Sequence, residues 1–108
     1  MSTTAVPLFD TAQLNRYTKG NPSLQVEVLA LFVAEVERLM RQVEDAPDPQ
    51  VRGDRLRALI GAARNTGATL IAQQARALET EIAAENPDLS PLKAAIADTL
   101  AFIRRTGG

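Results

Sequence analysis

In the segment "RLRALIGAARNTGA", residues 55–68, Arg57, Gly61 and Arg64 stand at i, i+4 and i+7. At about 100° per helical residue that spacing gathers them into one narrow sector. A guanidinium offers hydrogen-bond donors only and stays protonated at any physiological pH. The chemistry open to this sector is therefore recognition of carboxylates or phosphates, not proton transfer or nucleophilic attack. A glycine inside a helix costs roughly 0.5–1 kcal/mol relative to alanine, so Gly61 is expected to leave a shallow dent flanked by two arginines. Between residues 51 and 66, Arg52, Arg55, Arg57 and Arg64 oppose only Asp54, four positive charges against one negative. The competing reading of the arginines is solvated surface charge, with Arg64 near a helix end complementing the macrodipole. For Gly61 the competing reading is close helix packing, which its polar neighbours disfavour.

Other chemistry is limited by what the chain lacks. It holds 108 residues with no histidine and no cysteine. That removes imidazole acid–base catalysis, histidine as a phosphoryl acceptor, thiolate nucleophiles, and imidazole or thiolate metal ligation. Glu35 and Glu79 are candidates for paired carboxylates, but Glu79/Glu81 and Glu35/Glu37 each point their two acids to different faces of a helix, as solvated surface does. Carboxylate-bridged metal sites in helical bundles also use glutamate-x-x-histidine pairs. No glycine-rich phosphate loop or nucleophile elbow is present. The expectation is a protein that is not an enzyme and holds neither metal nor cofactor. A formal net charge of −1, with Phe9, Tyr17, Phe32 and Phe102 the only aromatics, argues against nucleic acid as a partner. No signal-like amino-terminal pattern and no apolar run of membrane-spanning length appears. No membrane association and a cytoplasmic location are the expectations.

The elements that must position the arginines follow from punctuation and period. Residues 1–9 read as a loosely ordered leader. Asp10 caps a short helix through about Tyr17, with Gln13 placed as the return half of a capping box, and Lys19-Gly20 closes it. Asn21-Pro22 and Asp48-Pro49 open the next two helices. The first carries Leu29, Phe32, Val36, Leu39 and Val43 on one stripe; the second carries Leu56, Leu59, Ile60 and Ala63. "NTGA" marks a tight bend. A fourth segment, 68–85, aligns Ile71, Ala75, Leu78 and Ile82. Ser90-Pro91 opens a last helix with Leu92, Ile96, Leu100 and Ile103. The pattern predicts an all-α single domain over residues 1–108, an antiparallel four-helix bundle with a short amino-terminal helix.

On these residues the chain resembles the histidine-containing phosphotransfer (HPt) domain of bacterial phosphorelays. The family's pattern is roughly alanine-histidine-x-leucine-lysine-glycine-x-alanine, then asparagine and a glycine-alanine pair. In "LRALIGAARNTGA", Leu59, Gly61, Ala63, Asn65, Gly67 and Ala68 match. "GNPSLQVEVLALFVAEVERL" resembles the family's first long helix and "ALETEIA" the segment after the motif, so the likeness extends over 10–105. Arg57 occupies the position of the phosphorylated histidine, and Ile60 that of the motif lysine. In the family, the glycine keeps the histidine accessible to a partner's active site.

The resemblance implies a degenerate phosphotransfer domain. An arginine has no lone pair to accept a phosphoryl group, so Arg57 cannot carry phosphate. It is suited to enter the acidic pocket of a receiver domain, or to hold that domain's phosphoryl group. The expected partner is a response-regulator receiver domain or a histidine kinase, met by Arg57, Ile60, Gly61 and Arg64, with Ile60 supplying an apolar contact. A scaffold or dimerisation module is the alternative, using Val26, Val33 or Leu70. The sequence leaves the oligomeric state open.

Overall fold

The computed structural model describes residues 7–81 and 86–106. These form α1 (Thr11–Thr18), α2 (Pro22–Glu44), α3 (Pro49–Thr66), α4 (Thr69–Glu79) and α5 (Ser90–Thr106), with no strand among the described residues. The helix starts have the anticipated chemistry. Asp10 accepts a hydrogen bond from the Gln13 amide at 3.2 Å, Asn21 from Leu24 at 3.1 Å and Asp48 from Val51 at 2.9 Å. Each cap of this kind is worth about 1 kcal/mol. Lys19 and Gly20 close α1 in left-handed conformations, with φ of 54° and 71°.

Local details depart from the pattern in three places. The Gln13 side chain does not return to its own cap; its amide donates to the Asn65 carbonyl at 3.3 Å, linking α1 to the end of α3. The start of α5 is held from outside the helix, where Asp88 accepts the Ser90 amide at 3.0 Å. That backbone bond, reinforced by the Ser90 hydroxyl, keeps the Asp88 carboxyl below its usual range. Finally, α4 ends at Glu79, well short of 85, and Ile82 lies outside the described residues.

Helices adjacent in sequence pack together: α2 on α3, α3 on α4, α4 on α5. Further contacts join α5 to α2 and α1 to both α2 and α3. The anticipated stripes form the core, with Phe32, Val36, Leu39 and Val43 meeting Leu56, Leu59, Ile60 and Ala63. Ile71, Ala75 and Leu78 of α4 join Leu92, Ile96, Leu100 and Ile103 of α5. Leu29 is only partly buried, whereas Met40 is buried. Fully buried Ala63, Ala68 and Ala75 let neighbouring helices approach closely. Three threonines are also buried, Thr18, Thr66 and Thr99. Their hydroxyls donate to the carbonyls of Leu14, Ala62 and Ala95 at 2.8, 3.0 and 2.7 Å, so none is left unsatisfied.

Gly67 makes the elbow between α3 and α4 with φ of 105°. A Cβ there would collide with the Asp10 carbonyl oxygen, so the position needs glycine for both conformation and space. The Gly67 carbonyl accepts the Asp10 amide at 2.7 Å, and the Leu8 carbonyl accepts the Leu70 amide at 3.5 Å. Phe9 packs on Phe102 of α5 with ring centroids 5.4 Å apart. The end of the leader is thus fastened to the helical body. No described helix is long and apolar enough to cross a membrane.

Candidate functional site: an arginine face on α3

The first turns of α3 are set by the Asp48 cap, and its inner stripe is anchored by fully buried Leu56 and Leu59. This registration turns Arg57, Gly61 and Arg64 outward, and all three are exposed. Gly61 meets open space: nothing lies within 4 Å of where its Cβ would stand. Close helix packing therefore does not explain this glycine. Gly53, the other glycine of α3, is buried instead.

Arg57 is not a free cation. Its guanidinium donates to Asp54, one turn back on α3, and to Glu79 of α4 at 3.2 Å. Its side chain remains 52% exposed. The two carboxylates, Glu79 foremost, raise its pKa above the ordinary arginine value. The group stays cationic, held in place as a clasp between α3 and α4. The sequence count of charges on α3 missed this, because Glu79 belongs to another helix. Arg52 leaves the surface tally too, since it is buried.

Arg64 faces a different neighbourhood. With Gln73 and Arg76 of α4 it lines a cleft of about 380 Å³ whose floor includes Ala63 and Ala72. Ile60 departs from its expected role. It is only 7% exposed and belongs to the core, so it has no surface to offer a partner. Its position beside Leu59 and Ala63 on the inner face commits it to helix packing.

The apolar contact next to Gly61 comes instead from residues not singled out in the sequence. A hollow of about 370 Å³ is lined by Tyr17, Val28, Leu31, Phe32, Ala62 and Asn65 among others. Ala62 and Asn65 are the first and fourth residues after Gly61, so the hollow adjoins the arginine face. Leu31 is 72% exposed and Tyr17 51%. The available signal was Leu24, Val28 and Leu31, spaced by four and three on the flank of the main α2 stripe. Of the residues considered for a dimer surface, Val26 is exposed, while Val33 and Leu70 pack at the margin of the core.

Of the carboxylates Glu35, Glu37, Glu79 and Glu81, two are engaged in ion pairs: Glu35 with Arg38 at 2.5 Å, and Glu79 with Arg57. Among the described residues, no group of three or more acidic, histidine or cysteine side chains is placed to hold a metal ion. The assembled face offers a paired guanidinium, an open glycine and an adjoining apolar hollow. That combination is a mixed polar and apolar surface whose central cation is balanced by two carboxylates. The chain matches no protein-family model, no curated protein and no solved structure.

Proposed function

We propose that this chain is an HPt-like component of two-component phosphorelay signalling that cannot itself carry phosphate. In this reading it is an antiparallel four-helix bundle with a short leading helix, works in the cytoplasm and performs no catalysis. It binds a receiver domain or a kinase, and so competes with phosphate-carrying domains or modulates the relay. Support for the bundle comes from Glu44, at the end of α2, reaching Lys93 near the start of α5 at 2.6 Å. Support for the function comes first from Gly61, a helical glycine with open space above it. A residue that weakens its helix without easing any internal contact is understandable if a partner occupies the space. Arg57, oriented by Asp54 and Glu79, presents charge beside that space, while Tyr17 and Leu31 provide the apolar contact first assigned to Ile60.

The test is titration of phosphorylated and unphosphorylated receiver domains, and of kinases, against wild type and Arg57→Glu. Saturable binding that Arg57→Glu weakens at least tenfold is expected. Equal affinities would remove the arginine from the interface, and no binding to any receiver or kinase would refute the reading. Self-association is the second reading, favoured by the exposure of Leu31, which lines one hollow with Tyr17 and another with Leu24. Light scattering separates the two: a tight dimer that covers the Gly61 face is incompatible with receiver docking.

A further inference from the structure

The cleft between α3 and α4 shares Arg64 with the arginine face but adds Gln73 and Arg76 of α4, which the receiver reading does not use. Arg64 of α3 and Gln73 and Arg76 of α4 line it. Neither arginine has an ion-pair partner among the described residues, whereas Arg16, Arg38 and Arg57 each face a carboxylate. Among the described residues Asp10 is the one carboxylate lining the cleft, and it has partners of its own. It caps α1 through the Gln13 amide and lies 4.0 Å from Arg16. Gln13 is occupied as well, donating to Asn65 and accepting from Arg16. Thr69 donates its hydroxyl to the Gly67 carbonyl at 3.2 Å, so the open donor capacity of the cleft lies in two guanidinium groups and the Gln73 amide. The floor of Ala63 and Ala72 leaves room for a compact ligand.

We propose that this cleft binds a phosphate group carried by a compact ligand. Two guanidinium groups bring two positive charges to the cleft, which a single carboxylate balances only by half. A phosphate carries nearly two negative charges and three acceptor oxygens at neutral pH, enough to engage both arginines. The volume of about 380 Å³ accommodates more than a bare ion, so a phosphate ester or diphosphate fits better than orthophosphate. Free phosphorylated metabolites and a phosphorylated side chain both present this chemistry. The site uses Arg64 but requires no receiver, so it stands or falls separately from the function proposed above.

The experiment is a titration of the isotope-labelled full chain with pyrophosphate, a nucleoside monophosphate, a short phosphoserine peptide and acetate, followed by NMR of backbone amides and arginine side chains. Saturable shifts centred on Arg64, Gln73 and Arg76 are expected with a phosphate-bearing probe and not with acetate. Stronger response to the free phosphates or to the peptide identifies the source. Arg64→Gln with Arg76→Gln should weaken binding at least tenfold. Arg104→Gln with Arg105→Gln, at the far end of α5, should leave it unchanged. All four arginines are exposed, so folding is expected to survive, and the amide spectrum checks it. Shifts that never saturate, equal response to acetate, or equal loss in both double variants would overturn the proposal.

Discussion

At Gly61 the same missing side chain bears on stability and on binding in opposite directions. A methyl group there meets nothing within 4 Å, so Gly61→Ala should stabilise the fold by about 0.5–1 kcal/mol through helix propensity, read as a raised urea midpoint. Any loss of affinity for a receiver in this variant must arise from the partner, because no internal contact changes. Unchanged affinity, even with a larger residue at 61, would remove the glycine from the interface. Arg57, Gly61 and Arg64 were legible in sequence as an outward sector because one helix sets their spacing. Their electrostatics were not, since Glu79 and Arg76 arrive from α4. Ile60 carries two expectations, a place on the apolar stripe and a contact for a partner, and its burial at 7% exposure fulfils the first and leaves little surface for the second.

The elements were legible where a local signal determines them. Asn21-Pro22 and Asp48-Pro49 announce their helices through cap and ring geometry, and the apolar period predicts which side of each helix is buried. Less legible were contacts between segments distant in sequence, such as Gln13 with Asn65 or Asp88 holding the start of α5. Two predictions belong at this scale. Gly67→Ala must force an alanine into a positive-φ elbow and against the Asp10 carbonyl, so a loss of roughly 2–4 kcal/mol is expected, measured by chemical denaturation. Asp88 has a lowered pKa in the folded chain, so its contribution to stability is complete above about pH 4. That contribution fades as pH falls through the lower folded value. Asp88→Asn should be less stable than wild type at neutral pH, and the two denaturation curves should converge on acidification below about pH 4.

For the molecule as a whole, the arginine face and the apolar hollow lie side by side, and Leu31 is the most exposed large apolar residue among those described. Leu31→Lys should change stability by less than about 0.5 kcal/mol, as for an ordinary surface site. Under receiver docking it should weaken the complex substantially; under self-association it should shift the light-scattering mass toward the monomer. One bond gives the molecule a further property. The Asp10 amide proton, held by the Gly67 carbonyl, closes a loop that encloses α1, α2 and α3. Its hydrogen-exchange rate is thus a spectroscopic gauge of how firmly the chain's front end is latched. A protein fused ahead of Leu8 would strain that latch, whereas the same cargo appended beyond α5 would leave it at rest.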